Sequence, residues 1–380
     1  MSHMKSIHSL PLILGAALLL LSASCNKLDG GRCGGDGEMS ELRISVALPG
    51  AERTRTNYTD LLSAELGVRS TYVFVFDATS STPSAQTLEA KSAPSMSFST
   101  SSLTGEESIS VKPGNKRVCV LMNVPSSLYS SISTYQDVLD IRYAMSNESV
   151  SGSSKYFQMA GTATATVAGS SSSVTVSCRR VVARVALRSV TNSLASSVTL
   201  NRAWLSNVAG DWCASDETTV STWYNKQGRK DESSRKTAHV IDGSSYTASL
   251  PSFTYKSLST ALSSGSTYGS ASSSPSVLLY CYPNPSSTDP DGFTSSFGGE
   301  YTVLVLDVTI GGVRQYYPVV LSTIKSGCSW AIEGNYAYTV DMNLTSLGSD
   351  DPNKPVTKAS ASVSVSIADW NPGPEYTPAI

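Results

Sequence analysis

The sequence predicts an all-β protein built from two tandem β-sandwich domains with few short helices. Three observations carry this. Apolar residues recur at every second position in many short runs, the period of a half-buried strand. Gly, Pro, Asn and Ser clusters interrupt those runs at short spacing, as turns do. Only 15% of the 380 residues are charged, against roughly 25% in typical globular chains. Ser and Thr carry the polar load, and hydroxyl-bearing, β-branched surfaces favour strand over helix.

Met4 and Lys5 are followed by an apolar run from Leu10 to Leu21 and then by small residues ending at Ser22-Ala23-Ser24-Cys25. A positive start, an apolar stretch too short to span a bilayer and a small-residue processing site predict a secretory signal over residues 1–24. A Cys directly after the small residues predicts lipidation at Cys25, and so a lipid anchor to the outer membrane. Residues 25–40 form a Gly-rich flexible tether. Two domains follow, over 41–185 and 186–380, each of ordinary size.

The first strand places Leu42, Ile44, Val46 and Leu48 on one face, and Pro49-Gly50 ends it. Tyr72 to Phe76 is a continuous apolar run, as a strand buried on both faces requires. Arg117 to Met122 is a further strand, stopped at Pro125. A partial helical stripe over Ile132 to Met145 predicts a short helix. Thr162 to Val167 and Val174 to Cys178 are expected to pair across the intervening Gly169 turn. From Arg180 to Val190 the alternation sets Val181, Ala183, Val185 and Leu187 against Arg184 and Arg188, and this stretch joins the two domains. Strands are expected at 277–282, 301–310, 313–321, 336–344 and 361–367, with a Gly311-Gly312 hairpin turn. Residues 256–276 and 284–298 are Ser-, Gly- and Pro-rich and read as surface loops.

No catalytic, metal or cofactor constellation emerges. His239 is the one histidine after the signal and lies beyond a charged stretch. G-x-S-x-G, H-E-x-x-H, P-loop and EF-hand patterns are absent, and the S-x-x-K matches at Ser233 and Ser322 lack companion motifs. The reading is therefore not an enzyme and not a cofactor protein. A formal net charge of −2, with Lys and Arg scattered, argues against nucleic acid as a partner. None of the seven cysteines has C-x-x-C spacing, and Cys119 and Cys281, set inside apolar runs, read as buried thiols.

Two features near the ends point to assembly. Arg53 and Arg55 follow the first strand among polar residues, where a protease would cut. Such a cut releases the strand carrying Leu42, Ile44, Val46 and Leu48, and leaves an open groove with unpaired backbone groups. Near the far end, Val363, Val365 and Ile367 alternate with serines. Supplied by a neighbouring copy, that strand could fill the groove, and burying three such side chains gives roughly 4–9 kcal/mol before the cost of ordering. Head-to-tail repetition of the contact makes an open filament. The plainer reading keeps the last strand within its own sandwich and leaves the arginines as solvated loop residues.

Several local patterns resemble the fimbrillins of the Bacteroidales, the type V pilins: a lipoprotein signal with an arginine loop after the first strand, CVLMNVP at 119–125, YFQMAG at 156–161, RVVARVA at 180–186, LYCYPN at 279–284, GNYAY at 334–338, and the final Val363, Val365, Ile367 and Trp370. The resemblance implies two transthyretin-like sandwiches. It implies a cell-surface pilus subunit exported as a lipoprotein, cut after Arg53 or Arg55 and polymerised by exchange of the strand ending at Trp370. It further implies other pilin subunits as partners, a host or bacterial surface ligand, and an adhesive role at the outer membrane and fimbrium. The chain departs from the pattern at Glu333-Gly334, where a basic residue is usual, and runs on past Trp370 to Ile380. Shaft, anchor and tip roles stay open. A tip would bind glycan or protein through loop aromatics such as Trp212, Trp223 and Tyr224, which equally suit packing. The alternative is a surface lipoprotein that binds glycan or protein and never polymerises.

Overall fold

The computed structural model describes residues 39–49, 65–98, 103–150, 154–225, 252–270, 277–284, 301–321, 332–352 and 361–369. Cys25, Arg53, Arg55, His239 and Trp370 lie outside them. The first half carries β1 (Ser40–Ala47), β2 (Thr71–Asp77), β3 (Leu88–Ser92), β4 (Thr104–Val111), β5 (Gly114–Met122), β6 (Arg142–Ala144), β7 (Met159–Val167), β8 (Ser171–Ser177) and β9 (Arg179–Arg180). Two short helices, α1 (Ser127–Ser131) and α2 (Tyr135–Leu139), sit between β5 and β6. The second half carries β10 (Ala183–Asn192), β11 (Val198–Ser206), β12 (Val208–Ala209), β13 (Asp211–Cys213), β14 (Trp223–Tyr224), β15 (Tyr255–Leu262), β16 (Thr267–Gly269) and β17 (Val277–Cys281). It ends with β18 (Val303–Ile310), β19 (Val313–Val320), β20 (Tyr336–Leu344) and β21 (Ala361–Asp369).

The fold is all-β, in sandwiches. In the first, a three-stranded sheet of order β4-β1-β8 faces a five-stranded sheet of order β3-β2-β5-β7-β9. Period-two side chains from both meet in one core: Leu42, Ile44 and Val46 against Val73, Val75, Val118 and Val120. The other face of the five-stranded sheet presents Phe74, Phe76, Cys119 and Leu121 to a second cluster that includes Tyr280 and Tyr282. Burial on both faces explains the unbroken apolar run of β2. The second sandwich packs β16-β10-β20-β21, with β17 also on β10, against β15-β11-β18-β19. The chain passes from one set of sheets to the other between β9 and β10, since Arg180 pairs with Met159 and Ala183 with Cys281. Gly311 and Gly312, at φ 57° and 83°, turn β18 into β19 as the hairpin rule requires.

Two local expectations fail for physical reasons. β7 and β8 do not pair; β7 bonds to β5 and β9, while β8 runs parallel to β1 in the facing sheet. A short turn brings strands close but does not choose their hydrogen-bond partners. The short helix expected within 132–145 is present as Tyr135–Leu139, started by a capping box between Thr134 and Asp137. Beyond it the chain extends as β6 and pairs with β13, so a long-range partner overrides a weak stripe. Finally, 256–276 is not a loop throughout, because β15 and β16 occupy much of it. β15 is an edge strand whose serines face water and whose partly buried side includes Thr260, so few apolar residues mark its period.

Candidate functional site

β1 is held on both edges. It pairs antiparallel with β4, from Ser40 opposite Val111 to Ala47 opposite Thr104, and parallel with β8, from Glu41 opposite Ser171 to Ala47 opposite Ser177. The ladder is closed at its far end by Leu48 N to Leu103 O at 2.8 Å and Cys178 N to Ala47 O at 2.8 Å. Leu42, Ile44 and Val46 are 0% exposed and Leu48 is 3% exposed. Four such side chains are worth about 6–12 kcal/mol of burial. Lifting β1 out would bare two strand edges and the apolar floor beneath, a slot shaped for one extended chain.

Among the described residues β21 is held on one edge. It pairs antiparallel with β20, from Tyr336 opposite Asp369 to Leu344 opposite Ala361, and ends its sheet. Val363 and Val365 are half-buried against the second core, while Ser362, Ser364 and Ser366 are exposed. Ile367 pairs through its backbone with Tyr338. The strands thus share an alternation and a length of eight or nine residues. They lie in different sheets, so the sites expected from the sequence are not gathered at one place within the molecule. Arg53 and Arg55, the expected cut sites, and the expected lipid site Cys25 are outside the described residues.

What the sequence did not reveal is a polar seam between the halves. Glu65, fully buried, opens the described chain after the segment holding the two arginines. Its carboxylate accepts from Arg184 Nη1 at 3.0 Å and from the Tyr280 hydroxyl at 2.7 Å. Its main-chain carbonyl accepts from Arg180 Nη2 at 3.1 Å. Burial pulls the Arg180 guanidinium down to about 10, with Glu65 opposing that shift. Burial and the Glu65 charge push the Tyr280 phenol up, which keeps it a hydroxyl donor. A second tie joins Glu148 to Tyr282 at 2.7 Å and to the Gln158 amide at 2.9 Å. Burial pushes the Glu148 carboxyl up to about 7, against those hydrogen bonds.

The short motifs singled out in the sequence gather around this seam. Asn335 accepts from Arg180 N at 3.3 Å and donates its own N–H to Val182 O at 3.0 Å. Asn123 donates to Gly67 O and Phe157 O, and Gln158 donates to the Tyr282 hydroxyl at 2.6 Å. A Cβ at Gly334 would lie 2.4 Å from Val181 O, which accounts for the departure at that position: no side chain fits. The motifs are structural knots rather than chemistry. The aromatics Trp212, Trp223 and Tyr224 are half-buried and pack against the seam cluster, with Trp212 beside Tyr143 at 5.8 Å and Tyr224 edge-on to Phe253 at 5.6 Å. Cys119, Cys178, Cys213 and Cys281 are free and buried.

No protein-family model and no curated protein matches the chain significantly. Solved structures do. A fimbrilin from Porphyromonas gingivalis aligns at TM-score 0.56 and 12% identity, over 88% of this chain and 98% of its own. This chain has the fimbrilin fold. The same fold is found in a Parabacteroides distasonis protein provisionally named for cell adhesion, at TM-score 0.56 and 14% identity over 89% and 99% of the two chains. A similarly named Bacteroides eggerthii protein aligns at TM-score 0.54 and 18% identity over 89% and 98%.

Proposed function

We propose that the chain is a structural subunit of a cell-surface pilus. It is exported as a lipoprotein through Cys25, cut after Arg53 or Arg55, and joined head-to-tail when β21 of one copy replaces β1 of the next. The observation that carries this reading is the asymmetry between two strands of matching pattern, one enclosed and one held at an edge, in a fold shared with a fimbrilin. Partners are other pilin subunits, the outer membrane for the lipidated precursor, and a surface ligand for adhesion. No catalysis is required.

Side-chain volume selects a register for the exchange. Setting Val363, Val365 and Ile367 at the places of Leu42, Ile44 and Val46 changes each site by about one methylene, which cores tolerate best. It puts Ala361 where buried Ser40 lies, and Asp369 would fall at Leu48, which is itself buried, so the inserted part of the strand ends at Ile367. The register shifted by two residues puts Ala361 at Leu42, a large-to-small change of about 2–5 kcal/mol. The first register is the one we assign.

The seating of β21 in its own sheet favours a second reading, a tethered surface protein that binds glycan or protein without polymerising. Anchor and tip roles keep the same fold. Intact mass of the protein from its native cell separates these. A pilus shaft subunit should begin at residue 54 or 56 and carry no lipid. An uncut chain lipidated at Cys25 in every molecule would remove the shaft assignment.

A further inference from the structure

The outer face of the five-stranded sheet holds a recess of about 440 Å³ between β5, β7 and the loop after β2. Asn115, Arg117, Thr164 and Thr166 form its floor, since Asn115 stands opposite Thr166 and Arg117 opposite Thr164 on adjacent strands. Ser80 and Gln86 stand at its wall.

Arg117 is not an ordinary surface arginine. Its guanidinium lies over the Tyr135 ring at 4.3 Å, and its Nε donates to Gln86 Oε1 at 2.8 Å. Gln86 is 1% exposed and is itself fixed by donating Nε2 to Ser80 O at 2.8 Å. A buried amide and a buried ring thus hold one edge of the guanidinium. Among the described residues the two Nη atoms have no hydrogen-bond or ion-pair partner, which leaves the other edge to the recess. The nearby Glu89 carboxylate pairs with Lys116 at 2.6 Å, not with Arg117. Asn115 accepts from Thr166 Oγ1 at 2.9 Å through its oxygen, so its amide N–H₂ is open to a ligand.

A pre-fixed guanidinium edge suits a carboxylate bound through two parallel hydrogen bonds, and fixing it beforehand reduces the ordering cost of binding. The hydroxyls and amide around it offer both donors and acceptors at short range, which matches a polyhydroxylated ring better than a peptide. We propose that this recess binds a carboxylate-bearing sugar, a uronic or sialic acid residue of a surface glycan. The site stands whether or not the chain polymerises.

Titration of the isotope-labelled intact chain with glucuronate and with N-acetylneuraminate, followed by amide shifts, tests it. Saturable shifts at Asn115, Arg117, Thr164 and Thr166 are expected with at least one acid and not with glucose. Arg117→Gln should weaken the response at least tenfold. Thr166→Asp, an exposed position that leaves the arginine's supports intact, should abolish it by repulsion and serves if Arg117→Gln fails to fold. No saturable shift with either acid, or equal binding by both variants, overturns the proposal. Acetate or an oligoglutamate peptide binding as tightly as the sugars also overturns it, since the ring would then contribute nothing.

Discussion

The first and last described strands carry the same period-two apolar pattern, and the fold holds them in opposite ways. β1 lies between two partners, with Leu42, Ile44 and Val46 fully enclosed. Among the described residues β21 has one partner, and Val363 and Val365 are only half-covered. Pattern alone therefore does not set how firmly a strand is held; the number of hydrogen-bonded edges and the depth of burial do. Under the proposed function the contrast has a direction. The enclosed strand leaves only after a cut, and the edge strand is free to move first, gaining a second edge and deeper burial when it reaches a neighbour's slot.

The largest expected effect concerns the seam that must survive such a rearrangement. Glu65→Gln leaves Arg180 and Arg184 beside a neutral group in a buried site, and should cost about 3–5 kcal/mol. Urea denaturation checks this, and a loss under about 1 kcal/mol would mean that the seam does not hold the halves together while strands move.

Next comes the comparison itself. Ile44→Ala in β1 should cost about 2–5 kcal/mol, and Val365→Ala in β21 about 0.5–1.5 kcal/mol, because the second site is shallow and partly wet. Equal losses in urea titrations would erase the asymmetry.

A smaller effect separates the seam from both strands. The Glu148 carboxyl titrates at about 7 in the fold and near ~4.3 when unfolded. The folded state therefore binds the proton more tightly. Its contribution is fully present below about pH 4.3 and is lost as pH rises through about 7, a fall of about 3–4 kcal/mol at most. Glu148→Gln should flatten that slope in thermal melts across this window while leaving the contrast between β1 and β21 unchanged. A variant with the wild-type slope would assign the pH dependence elsewhere.

Much of the fold was legible in the sequence because a sandwich strand writes its inner face at every second residue. Leu42 to Leu48 is the clearest case; Tyr72 to Phe76 was legible instead as an unbroken run buried on both faces, and Gly311-Gly312 as a turn. β15 was not legible, because Ser257, Ser259 and Thr260 on an edge strand carry no apolar period. The partners of β7 and β8 were not legible either, since a turn's sequence does not encode which distant strand completes a sheet. The candidate strands β1 and β21 could be read from their alternation, but their unequal enclosure could not. The Glu65 cluster escaped for a related reason: the alternation set Arg184 and Arg188 opposite the apolar face of their strand, with no sign that a charged face was buried. Only the packing of two sandwiches on each other buries that face and requires a carboxylate from 115–119 residues away.

The most direct test mixes trypsin-treated intact chain with the same chain lacking residues 361–380 and runs each, unheated, on a denaturing gel. The cut full-length chain alone should give a ladder of regularly spaced oligomers. The cut truncated chain alone should run as a single band, and added to the first it should shorten the ladder, since it has a slot to fill but no strand to give. Ladders formed by the truncated chain alone would contradict exchange of β21 and assign assembly to another contact, and a cut full-length chain that runs as a single band would leave a monomeric surface binder.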